Sequence, residues 1–194
     1  MPFIPPVTRT LMLFCIGLFC FFILFPLAPL QNALALWPLN TGLFNFWQPL
    51  TYAFLHGDVL HLFFNMLGLW MFGSELETVW GGKRYVQLLA ASILTAAIAQ
   101  LVFTLVVGTM APTVGISGGL FGLLLAFGWM FPDRTIMPLF PPIPMKAKFA
   151  VAIFGALELL LGITGSTGIA HFAHLGGMLG AWVMINHWRG GRGR

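Results

Sequence analysis

Residues 115–134 read GISGGLFGLLLAFGWMFPDR. The stretch is apolar from Leu120 to Phe131 and stops at Pro132-Asp133-Arg134. A helix from Ser117 to Phe131, at 1.5 Å per residue, is about 22 Å long. The hydrocarbon of a bilayer is about 30 Å thick. If this helix ends at one membrane face, Ser117 lies below the other. The preceding residues, 108–116, must then dip into the membrane as a re-entrant loop. Non-helical backbone is tolerated at that depth only inside protein or beside water. The stretch therefore predicts a wet cavity, open to the outside, with a serine on its floor.

The composition agrees with a membrane reading. Apolar residues make up 59% of the 194 and charged residues 7%, and mean hydropathy is +0.93. A soluble domain carries about 25% charged residues, so a soluble globular protein is excluded. With 20 Phe and 7 Trp, disorder is excluded too. The two cysteines, Cys15 and Cys20, both fall in the first apolar run and suggest no disulfide framework.

The apolar runs predict an all-α polytopic protein with spans at about 11–30, 59–80, 85–107, 115–131, 148–164 and 168–188, in one domain covering 1–194. The first run is longer than the apolar core of a signal peptide and is expected to be retained. All nine basic residues (Arg9, Lys83, Arg84, Arg134, Lys146, Lys148, Arg189, Arg192, Arg194) then fall on one side. The connections 31–58, 108–114 and 164–168 contain none. The positive-inside rule puts both termini in the cytoplasm. It also accounts for the basic balance without nucleic acid. The apolar connection 31–58, with Trp37, Phe44, Phe46 and Trp47, is expected in the outer interface. No internal repeat supports a transporter.

Polar residues inside spans carry the functional signal. His61 and Asn65 share a helix face, thinned by Gly68. Ser117 stands in the first turn of a helix, where free N–H groups can stabilise an anion. His171 and His174 lie near the outer end of the sixth span. The Gly118-xxx-Gly122 and Gly176-xxx-Gly180 stripes allow close helix packing. If the fourth and sixth spans meet through them, Ser117 and His174 come within reach. A serine beside a neutral imidazole is an activated nucleophile. His61 and Asn65, with the Ser117 N–H, would then be donors to an oxyanion. Each feature also has a structural reading: a hydrogen-bonded pair between helices, a serine cap, a packing motif. A metal site built from His56, His61, His171 and His174 competes, but the spacing of the first two suits no single helix face and there is no H-E-x-x-H. His171 is the alternative base. No Asp or Glu is expected at this depth to orient the histidine. Glu158, about ten residues into the fifth span, is expected near the bilayer centre in a structural, neutral role, so that Glu158→Gln keeps activity.

At these residues the chain resembles the rhomboid intramembrane serine proteases. The resemblance rests on His56-Gly-Asp-Val-Leu-His61-Leu-Phe-Phe-Asn65, Gly115-Ile-Ser117-Gly118, Ala173-His174-Leu-Gly176-Gly177 and the Gly73-x-x-x-Glu77 pattern. It implies a six-helix membrane bundle, with Ser117 as nucleophile and His174 as general base and acid. His61 and Asn65 would be oxyanion donors, supported by His56, Gly115, Gly118, Phe121 and Gly177. It implies cleavage of membrane-protein substrates in or near their spans, within the lipid bilayer. No metal, cofactor, nucleotide or nucleic acid is implied. The alternative is a non-catalytic relative that binds membrane clients. A minimal chain without a transit peptide points to a bacterial cytoplasmic membrane, with the site opening outward. Three positions depart from the family pattern. Trp47-Gln48 replaces a Trp-Arg, removing an ion pair from the first loop. Phe121 replaces a tyrosine, keeping a ring for His174 without its hydroxyl. Ala181 replaces a glycine.

Overall fold

The computed structural model describes residues 4–138, 142–164 and 170–190. The chain is mostly helical: α1 (Pro6–Leu24), α2 (Ala28–Leu34), α3 (Gln48–Thr51), α4 (Val59–Gly68), α5 (Ser74–Val107), α6 (Ser117–Met130), α7 (Ala147–Thr164) and α8 (His171–Gly190). A two-residue antiparallel pair, Thr135–Ile136 with Met145–Lys146, links α6 to α7.

The first helix differs from its expected 11–30. It starts with Pro6 in its first turn, where the missing N–H is not needed. It ends at Leu24 because Phe25 precedes Pro26 and is driven out of helical geometry (φ −125°, ψ 88°). The remainder of the run becomes the separate α2. The helix that carries the predicted fourth span begins at Ser117. That of the predicted sixth begins at His171, and positions 168 and 169, like the tail arginines Arg192 and Arg194, lie outside the described residues.

Between Val59 and Val107 the helical backbone passes through a π-turn at Leu69–Gly73 and breaks at Gly81. Gly81 has φ +75° and ψ 158°, a region open only to glycine. The chain folds back there: the Tyr85 hydroxyl lies against Gly73, 12 positions away and out of reach along one straight helix. The buried Glu77 ties α1 to this corner. It accepts from the Val7 N–H at 2.9 Å, the Thr8 N–H at 2.7 Å and the Thr8 hydroxyl at 2.8 Å. The Gly73-x-x-x-Glu77 pattern is thus a seat for Tyr85 and a cap for α1.

α8 packs against both α5 and α6, and α7 lies against α8 and α6. Gly118 shows how close these helices come: a Cβ there would stand 2.5 Å from Ala96 Cβ and 3.2 Å from the Ala173 carbonyl oxygen. Gly177 rests directly on the Gly118 carbonyl. The glycine stripes meet differently from expectation. Gly118 and Gly122 face both α5, through Ala96 and Ser92, and α8, through Ala173 and Gly177, whereas Gly176 and Gly180 face α5, each 2.7 Å (from an ideal Cβ) from a carbonyl oxygen of Thr95 or Ala91.

The exterior is apolar. Leu13, Phe14, Ile23 and Leu24 on α1, and Leu159, Leu160 and Ile163 on α7, are all exposed. By length and composition α1, the 59–107 run and α7 can cross a membrane, and α6 is a shorter apolar helix. Lipid, not water, is the solvent such a surface suits.

Candidate active site

Ser117 opens α6, and its position is fixed by the loop before it. Thr113 and Leu36 exchange backbone hydrogen bonds of 3.0 and 2.9 Å, and Gly115 N–H donates to the Tyr52 carbonyl at 2.9 Å. Gln100 Nε2 donates to Thr113 Oγ1 at 3.1 Å. Tyr52 is itself held by its hydroxyl on the Ile93 carbonyl, 3.0 Å away. Gly115 has φ +113°, which excludes a side chain. Space excludes one as well, since a Cβ would lie 2.5 Å from His61 Nε2.

The 31–58 connection is anchored without the missing ion pair. Gln48 is fully buried. Its Oε1 accepts from the Trp37 N–H at 3.2 Å, and its Nε2 donates to the Leu43 carbonyl at 3.0 Å. A neutral amide satisfies the backbone there at no desolvation cost of a charge.

Two expected residues meet. His174 Nε2 lies 2.9 Å from Ser117 Oγ. Phe121, one turn after Ser117, stacks flat on the His174 ring, with centroids 4.3 Å apart and planes 9° apart. His171 does not take the place of His174. Its Nδ1 is 2.6 Å from Glu158 Oε2.

Glu158 corrects the sequence reading. Its Oε2 is also 2.8 Å from His174 Nδ1, off the line of an ideal ring hydrogen bond but well within ion-pair reach. The expectation that no carboxylate stands at this depth is therefore wrong. Depth counted from the start of the fifth span put Glu158 near the bilayer centre. Counted from Thr164, the other end of α7, it is six residues in, about 9 Å, a depth comparable with that of His174. Glu158, His171 and His174 offer three metal-ligating atoms within 4.8 Å of one another. The 2.6 and 2.8 Å contacts are those of ring nitrogens sharing a carboxylate oxygen. The four histidines weighed as one metal set fall into two groups, His56 with His61 and His171 with His174.

His61 and Asn65 lie on α4 beside Gly115. Asp58 caps α4, its Oδ1 accepting from the His61 N–H at 2.8 Å. Asn65 is buried, and its Nδ2 has no protein acceptor among the described residues. His56 is buried edge-on to the His61 ring, centroids 5.1 Å apart. Burial, then the neighbouring His61, pushes the His56 imidazole down from 6.5 to about 4. It stays neutral at ordinary pH. The arrangement holds a hydroxyl on an imidazole, a carboxylate behind that imidazole, and an unsatisfied amide donor close by.

Residues 43–188 match the Rhomboid domain family. The chain is 31% identical over 129 residues to Rhomboid protein 1, mitochondrial, of Saccharomyces cerevisiae, covering 66% of this chain and 37% of that protein. It is 30% identical over 134 residues to Presenilin-associated rhomboid-like protein A, mitochondrial, of Danio rerio, covering 68% and 35%. It is 25% identical over 177 residues to Rhomboid protease GlpG of Yersinia pestis, covering 90% and 59%. The match thus spans little over a third of the two mitochondrial relatives and 59% of the Yersinia protein. The matched region runs from within the 31–58 connection to Trp188 in α8 and takes in Asn65, Ser117 and His174, and on that extent the chain belongs to the rhomboid family.

Proposed function

We propose that the chain is an intramembrane serine endopeptidase that cleaves membrane proteins in or near their spans. The observation that carries this is the 2.9 Å contact between Ser117 Oγ and His174 Nε2. Ser117 Oγ attacks the scissile carbonyl carbon while His174 takes its proton. The carbonyl oxygen becomes an oxyanion, held by His61, Asn65 and the Ser117 N–H. His174 then gives the proton to the leaving amine as the C–N bond breaks. Water hydrolyses the acyl-enzyme, with His174 again taking and returning a proton. His56, Gly115, Gly118, Phe121 and Gly177 support this geometry.

The same reading has one membrane domain of six spans, with a re-entrant loop leading into α6. Both termini lie in the cytoplasm of a bacterial inner membrane and the site opens outward. The contacts of Arg134 with Glu75 and of Arg84 with Trp188 support the placement of the basic residues at one end of the bundle.

The test is labelling of the detergent-solubilised protein with a fluorophosphonate, beside Ser117→Ala and His174→Ala. Labelling of the wild type that is lost in both variants is expected. A folded wild type that does not label would refute the protease and leave the client-binding alternative.

A further inference from the structure

The His174 ring has two nitrogens, and the proposed reaction uses only one. Nε2 must present a lone pair to the Ser117 hydroxyl, so the ring proton must sit on Nδ1. In water the two tautomers interconvert freely. Inside the bundle, something must choose between them.

Two features act on the ring. Phe121 stacks on its face and fixes its plane. That contact is blind to which nitrogen carries the proton. The Glu158 carboxylate is not. Its Oε2 lies 2.8 Å from Nδ1, an ion-pair contact off the ring hydrogen-bond line, and a carboxylate oxygen that close favours the proton on that nitrogen. The same oxygen lies 2.6 Å from His171 Nδ1, so a second ring holds it in place. α7 brings the carboxylate and α8 brings both rings. The Glu158 side chain is 13% exposed, His171 5% and His174 8%, so water competes little for these contacts.

We propose that Glu158 is a positioning residue, which with His171 holds His174 in the tautomer whose Nε2 faces Ser117 and stabilises the imidazolium formed when Ser117 gives up its proton. This rests on the reading of Ser117 and His174 given above and replaces a two-residue arrangement with a relay of four side chains. The groups facing His174 are Ser117 on α6, Glu158 on α7, His171 on α8 and, more remotely, His61 on α4. Among the described residues facing His174, Glu158 alone has a carboxyl group.

The experiment measures fluorophosphonate labelling rate against pH, and kcat and KM for a membrane-protein substrate, in wild type, Glu158→Gln, Glu158→Leu and His171→Phe. Removing the charge in Glu158→Gln is expected to slow labelling about 10-fold, and removing the acceptor in Glu158→Leu about 100-fold. In Glu158→Gln the pH of half-maximal labelling should fall, because the imidazolium has lost its counter-charge. The loss should appear in kcat with KM unchanged, since Glu158 touches no substrate. A purely structural role would lower the labelled fraction equally at every pH and leave the half-maximal pH in place. That result in Glu158→Gln overturns the inference, as does wild-type behaviour in both Glu158 variants. Loss of labelling on chelation, restored by zinc, overturns it too, because the carboxylate would then be a metal ligand. If Glu158→Leu does not fold, the near-isosteric Glu158→Gln and His171→Phe decide. A wild type that never labels removes the nucleophile and overturns both readings. Normal Ser117-dependent labelling in the Glu158 variants overturns this one alone.

Discussion

Removal of the Glu77 carboxylate should unfold the corner between Gly73 and Tyr85 before it touches the site. Glu77 accepts three hydrogen bonds, from two first-turn N–H groups of α1 and from the Thr8 hydroxyl. It is 5% exposed and Thr8 is 0% exposed, so water cannot replace it. A hydrogen bond to a charged acceptor contributes about 1.5–3 kcal/mol, and a buried donor left without a partner costs about 1–3 kcal/mol. In Glu77→Gln the amide oxygen can take the position shared by the two Thr8 donors, and its NH2 then faces the Val7 N–H. One bond and the favourable charge at the helix N-terminus are lost, about 2 kcal/mol in all. In Glu77→Ala all three donors are orphaned, and the loss should reach about 4 kcal/mol, near the upper limit for single substitutions. The assay is reversible unfolding by SDS in mixed micelles, followed by the fluorescence of the 7 tryptophans. Thr8→Val supplies the control: alone it should destabilise by about 1 kcal/mol, and in a Glu77→Ala background by close to nothing. A Glu77→Ala variant within 1 kcal/mol of wild type, or additivity of the two changes, would refute the capping role.

Other substitutions separate packing from chemistry. Gly115→Ala drives a methyl to 2.5 Å from His61 Nε2 at φ +113°, so fluorophosphonate labelling should fall more than about 10-fold; a rate within twofold of wild type would show that His61 is not needed where it stands. His56 titrates at about 4 when folded and 6.5 when unfolded, so its contribution to stability is complete above pH 6.5 and is lost as pH falls towards 4. At pH 5 the loss is about 2 kcal/mol. The melting midpoint should therefore drop between pH 7 and pH 5, and by less in His56→Phe; equal drops would contradict a neutral buried His56.

The place of Ser117 and His174 near the starts of two apolar helices was legible because apolar length follows directly from lipid; their meeting is made by Gly118 on Gly177, not by the Gly176-xxx-Gly180 stripe. The family resemblance placed Phe121 against His174, since it implies an aromatic ring four residues after the serine stacked on the histidine. Glu158 was not placed there, because depth was counted along one helix from one end. Two helices joined at one membrane face must instead be counted from their shared end. The glycine stripe on α8 was assigned to the wrong neighbour for a related reason. Spacing tells that a helix face is thin, and nothing in it tells which helix fills the groove. Gln48 looked like the loss of an anchor because an ion pair was expected. Its burial among backbone carbonyls and N–H groups is a tertiary fact, carried by Trp37 and Leu43 rather than by Gln48 itself. The break of the first apolar run at Pro26 was readable from the proline and was outweighed by hydropathy.

The contact between Gly118 and Gly177 joins main chain to main chain. Gly118 follows Ser117 directly and Gly177 is one turn after His174. The separation of the two reactive side chains is thus gauged by backbone, the stiffest part of either helix, and not by side chains that can change rotamer. Swelling or thinning of the bilayer strains first the lipid-facing α1 and α7, whose exposed leucines and phenylalanines ride in it. The distance between Ser117 and His174 is insulated from that strain, and a single methyl group at either glycine would recalibrate it.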